Sequence, residues 1–206
     1  MYARVVKIRP GQRVALKDAD GDQLLRAMAE LTSFAGAYLF EQVEHGRALA
    51  VTLWSTLDAA KTMHEGLASR SGRAPALESD HVFEVIDDVP GSAADSEPGM
   101  ASALYFEGPL GPVRFAAGQR AFRERILPVV ATLPGTVRDL VLWQAEEESI
   151  LVLSIVTSFE ALEAKQHAVR STELLPGEDP VLLPGPDRVE IYRAGPYVDA
   201  ADVTAR

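Results

Sequence analysis

The chain matches itself. Shifted by 102 positions, its 206 residues place Pro10 on Pro112, Ala15 on Ala117, Leu25 on Leu127 and Leu31 on Leu133. The same register runs on without a gap through Gln42 on Gln144, Glu44 on Glu146, Leu49 on Leu151, Ala59 on Ala161 and Ser69 on Ser171. Past residue 70 the second copy gains four residues, after which a shift of 106 pairs Phe83 with Val189, Glu84 with Glu190 and Pro90 with Pro196. A repeat constrains the fold more than local propensity does, because each copy must be one supersecondary unit that buries its apolar face against a neighbour.

Each copy reads strand, helix, strand, strand, helix, strand. Residues 2–8 are apolar and β-branched, and Arg9-Pro10-Gly11 ends them, since proline cannot continue a ladder and glycine permits a turn. Leu24, Met28 and Leu31 fall at helical spacing, as do Ile126, Val130 and Leu133. Pro128 lies inside the second of these helices and predicts a kink or a late start there. Residues 37–43 and 48–54 flank Glu44-His45-Gly46-Arg47 as a hairpin, and residues 140–145 and 150–156 flank Glu146-Glu147-Glu148-Ser149 in the same way. Small hydroxyl residues, Ser55-Thr56 and Thr157-Ser158, cap a second helix in each copy. Residues 81–87 and 188–194 supply the fourth strands.

This order, βαββαβ, is the ferredoxin-like arrangement, an antiparallel sheet with both helices on one face. Strands such as residues 49–54 are apolar at nearly every position, as strands buried on both faces are. The fold class expected is therefore α+β, two ferredoxin-like βαββαβ repeats packed sheet to sheet. The boundaries read as residues 1–90 for the first repeat, 91–102 for a linker rich in proline, glycine, serine and acid, 103–198 for the second repeat and 199–206 for a tail.

Composition removes several function classes. Thirty acidic residues against 20 basic ones give a formal charge of -10, which repels phosphate backbones and anionic lipid, so neither nucleic acid nor membrane is an expected partner. No apolar run approaches the roughly 18 residues of a membrane span, and residues 1–10 lack a signal peptide's apolar stretch, so a cytoplasmic location is expected. The chain has no cysteine and no asparagine. Its four histidines, at 45, 64, 81 and 167, show no metal-binding spacing such as HExxH, and no glycine-rich loop opens a helix for a nucleotide phosphate. Neither a metal nor a cofactor is expected.

The stretch AVTLWSTLDAAKTMHE, residues 50–65, is a strand ending in tryptophan that enters a helix through small polar residues. It resembles the dimeric α/β barrel superfamily, and in pattern the antibiotic biosynthesis monooxygenases. The resemblance implies an intrachain dimeric α/β barrel, a pseudo-dimer made by one chain, with further self-association left open. It also implies a range of activities: cofactor-independent oxygenases of polycyclic aromatic substrates, haem-degrading enzymes, lactone isomerases and members with no known activity. The haem-degrading members rely on an asparagine and a tryptophan within the helix; this chain has no asparagine, and Trp54 stands at the strand end.

Candidate residues follow from inward polar positions. Leu57, Ala60, His64 and Leu67 make an apolar stripe on the second helix, matched by Phe159, Leu162, Gln166 and Val169. His64, whose unperturbed pKa lies near 6.5, is the candidate catalytic base, and a satisfied core histidine is the plainer alternative. Trp54 is the candidate stacking platform for an aromatic ligand, with Phe34 and Met63 beside it as ligand-binding candidates; a core plug is its alternative. The repeat-related glutamates Glu84 and Glu190 are candidates for a paired-carboxylate site, with solvent exposure the expected outcome. Two functions remain: oxidation or isomerisation of a hydrophobic aromatic metabolite without a cofactor, or non-catalytic binding of a small hydrophobic or aromatic molecule by a module that keeps only the fold.

Overall fold

A computed structural model describes residues 1–9, 33–62, 77–195 and 197–199. The chain divides into two compact units, Met1–Val85 with Arg193–Arg206, and Ile86–Tyr192.

In the first unit, β1 (Tyr2–Ile8) is the centre of the sheet, with β3 (Ala48–Trp54) on one side and the first part of β4 (Leu77–Pro90) on the other, both antiparallel. β2 (Phe34–Gln42) flanks β3, and the short β9 (Val198–Asp199) adds to β2 at Gly36 and Ala37. The order β4-β1-β3-β2 is that of a ferredoxin-like sheet. β1 and β3 are buried at most positions, as their largely β-branched and apolar sequences favour. Residues 57–62 are helical, and the Thr56 hydroxyl caps them by accepting the Ala59 N–H at 3.3 Å. The expected first helix around Leu24, Met28 and Leu31 lies outside the described residues.

The second unit repeats the order. β5 (Met100–Phe106) lies between β7 (Ser149–Val156) and β8 (Arg188–Ala194), and β6 (Thr136–Gln144) completes β8-β5-β7-β6. The hairpins of the two units agree residue for residue under the shift of 102. Phe34 faces Trp54 and Gly36 faces Leu53 around a bulge; Thr136 faces Val156 and Arg138 faces Ile155 around the same bulge. The caps agree too, since Ser158 accepts the Ala161 N–H at 3.2 Å to start α3 (Phe159–Ser171).

Two sequence expectations need revision. The helix carrying Pro128 starts at Gly111 and does not start late. It runs as α1 (Gly111–Arg120), widens into a π-helical segment (Ala121–Ile126) and finishes as α2 (Leu127–Val130). Proline at 128 has no N–H for the Glu124 carbonyl, and just ahead of it the Leu127 N–H bonds back five residues to Phe122. The stretch between Pro90 and Met100 is also not free spacer: Gly91 N–H donates to Val137 O and Gly99 N–H to Val156 O, both at 2.9 Å. A Cβ on Gly91 would fall 2.2 Å from the Thr136 carbonyl oxygen and one on Gly99 2.1 Å from that of Thr157, so both sites require glycine. β5 begins at Met100, within the stretch read as linker.

Candidate functional site

Strand alternation gives the second sheet two faces. Leu140, Leu142, Leu151, Leu153 and Ile155 point one way and are essentially inaccessible. Leu104 and Phe106 of β5, Asp139 and Val141 of β6, and Ile150, Val152 and Ser154 of β7 point the other way and form one wall of a cavity of about 340 Å³. Phe122, Ile126 and Val130 of the π segment and α2 cover it, with Val169 of α3 and the loop segment 182–186 closing the sides. The volume lies at the lower end of small-molecule pockets, and the wall is apolar with a few convergent polar groups, the usual make-up of such a site.

The principal polar feature is one corner. Lys165, on α3, is buried and places its Nζ 2.6 Å from both carboxylate oxygens of Asp139. Ser154, the cross-strand partner of Asp139, donates its hydroxyl to Asp139 Oδ1 at 2.7 Å. Burial pushes the Lys165 ammonium below the ordinary lysine range, and the charge and hydrogen bonds of Asp139 oppose that shift. All three side chains line the cavity.

Other charged groups on the wall are partnered or wet. Arg125 lies 2.9 Å from Glu178, an ion pair joining the π segment to the loop after α3; Glu178 also accepts the Leu175 N–H at 2.8 Å. Asp87 accepts from Arg123 at 2.9 Å, its Oδ2 taking no hydrogen bond from a described residue, and Arg114 is exposed. On the opposite sheet face lies a second polar cluster, in which Tyr192 donates to Glu190, Arg188 pairs with Glu190, and the Arg188 guanidinium sits 3.7 Å from the Tyr105 ring centre. Burial, followed by neighbouring charge, pushes both phenols well above the usual tyrosine range.

Of the sequence-derived catalytic and ligand-binding candidates, two lie among the described residues. Trp54 and Phe34 are buried in the core of the first unit, in edge-to-face contact at 5.4 Å, and the Trp54 indole N–H donates to Thr52 Oγ1 at 2.9 Å. Neither lines this cavity. His64 and Met63 lie outside the described residues. The stripe read on the second helix is rotated: Phe159 is half exposed, and the inward polar residue is Lys165 where Gln166 was expected. Glu84 is exposed as expected, and Glu190 is buried against that expectation, because Arg188 and Tyr192 satisfy its carboxylate.

Lys165 and Asp139 were missed for identifiable reasons. Lys165 stands three residues after Leu162 and four before Val169, on the buried stripe, and only its charge argued it outward. Asp139 falls outside the expected strand 140–145 because β6 begins at Thr136. Shifted back by 102, the trio becomes Ala37, Thr52 and Met63, so the charged pair belongs to the second copy alone.

No protein-family profile matches the chain, and no curated protein sequence does. Solved structures do. An anthrone oxidase-like protein superposes with a TM-score of 0.59 at 12% identity, covering 97% of this chain and 93% of its own. A protein of Lactobacillus acidophilus NCFM designated a monooxygenase gives 0.58 at 7% identity over 97% and 96%, and one designated a chlorite dismutase gives 0.59 at 12% over 99% and 97%. Likeness at such low identity concerns the fold. The chain shares with these structures an α+β fold built on ferredoxin-like sheets.

Proposed function

We propose that this chain is a monooxygenase-like protein that oxidises or isomerises a hydrophobic aromatic metabolite held in the cavity of the second unit. The carrying observation is the 340 Å³ apolar chamber with its one buried Lys165–Asp139–Ser154 corner. A buried ion pair is seldom a net source of stability, and an apolar pair of similar volume commonly serves the fold as well. Its place on a cavity wall makes a ligand the better account of its presence. The structural neighbours designated anthrone oxidase-like and monooxygenase support the same reading. The repeat-matched registers and caps support a tandem duplication in which the second copy acquired the site.

Oxygen consumption with a panel of fused-ring phenols and quinols tests this. Steady uptake by the wild type, abolished by Val152→Trp, which fills the chamber from β7, is the expected result. Saturable binding with neither oxygen uptake nor any chemical change in the ligand would instead make the protein a carrier. Uptake unaffected by the filled chamber would remove the site from the second unit.

A further inference from the structure

We infer that the Lys165–Asp139 corner selects a neutral hydroxyl, so that the ligand of this cavity is an apolar ring system bearing a phenolic or enolic O–H, in preference to a carboxylate or an ether. The inference rests on the cavity being the ligand site, as proposed above, and follows from counting donors and acceptors. An ammonium has three N–H donors, and Lys165 gives two short contacts to Asp139 Oδ1 and Oδ2, leaving one donor. A carboxylate offers about four acceptor positions; Oδ1 takes Lys165 and Ser154 and Oδ2 takes Lys165, leaving one position on Oδ2.

The unused donor and the unused acceptor belong to atoms 2.6 Å apart, close enough for one ligand atom to meet both. A hydroxyl oxygen does so, accepting from Lys165 and donating to Asp139. An ether oxygen accepts but cannot donate, and leaves the buried Asp139 position unfilled in an apolar chamber. A carboxylate adds a second negative charge beside Asp139 and makes the neutral pair a net anion, which low-dielectric surroundings penalise. The remaining charged groups on the wall do not alter this balance: Arg125 is held by Glu178, Asp87 by Arg123, and Arg114 is exposed.

Affinity measurements on the wild-type protein with 2-naphthol, 2-methoxynaphthalene and 2-naphthoate decide the matter. The expected order places 2-naphthol first, by at least about tenfold over the ether, with naphthoate weakest. In the double variant Asp139→Ala with Lys165→Met, which installs the residues found 102 positions earlier, the ether should bind as before and the preference should shrink to about twofold or less. Equal binding of naphthol and ether by the wild type, tighter binding of naphthoate, or a preference that survives the double variant would overturn the inference while leaving the cavity as a ligand site. Failure of all three probes to bind the folded wild type would overturn the cavity reading, and this inference with it.

Discussion

Lys165 and Asp139 are the residues on which a buried charge is most exposed to test. Removing either partner strands the other in a buried site, so Lys165→Met and Asp139→Ala should each destabilise the protein by about 3 to 5 kcal/mol, whereas the double variant should fall within about 1 kcal/mol of the wild type. Urea unfolding of the four proteins measures this coupling. Additive single effects would show that the two charges do not depend on one another. The sequence carried this pair in plain sight, at an inward helical position and an inward strand position. Charge statistics argued against reading Lys165 as buried, and only the tertiary pairing with Asp139 reverses that prior. Trp54 shows the opposite case. Its place at the strand end was legible, but its use as a core residue satisfied by Thr52 follows from packing that no spacing reports.

At the scale of elements, period-two and β-branched patterns located the strands well: β1, β3 and β8 match their expected limits, and β4 is longer than expected, running from Leu77 to Pro90. The helix over the cavity was harder to read, because the response to Pro128 is spread over the preceding turn as a π segment. That segment carries Arg125, whose pairing with Glu178 ties the loop after α3 to the helix over the chamber. Glu178→Ala removes both the ion pair and the acceptor of the Leu175 N–H, so hydrogen exchange at Leu175 should quicken by about tenfold while the amides of β7 keep their protection. Unchanged exchange at Leu175 would mean that other contacts hold the loop. Helical cap signals were fully legible, since Thr56 and Ser158 act as the hydroxyl positions suggested.

For the whole molecule, the two copies keep one pattern and differ in where they bury charge. The first unit holds Arg4 against Asp80 and the carbonyls of Ala60 and Lys61, fixing β1 to the helical residues 57–62. The second holds Lys165 against Asp139 on a cavity wall. Global stability should also respond to alkali. Tyr105 and Tyr192 are held protonated above the ordinary tyrosine value of 10.0, so the folded state binds more protons than the unfolded chain once the pH exceeds about 10. Their contribution is present in full below that point and is lost as pH rises past it. A near-ultraviolet titration should therefore find phenols that ionise only as the protein unfolds, and Tyr105→Phe should reduce their number by one. Five phenols titrating together near pH 10 in the folded protein would contradict the burial of this cluster.

The central claim is that the second unit's chamber, and its Lys165–Asp139 corner, is where the ligand sits. A crystal structure of the protein soaked with 2-naphthol tests it most directly. The account predicts ring density between Val152 and Ile126 with the hydroxyl oxygen in hydrogen-bonding range of Lys165 Nζ and Asp139 Oδ2; an empty chamber with the ligand ordered beside Trp54 would contradict it.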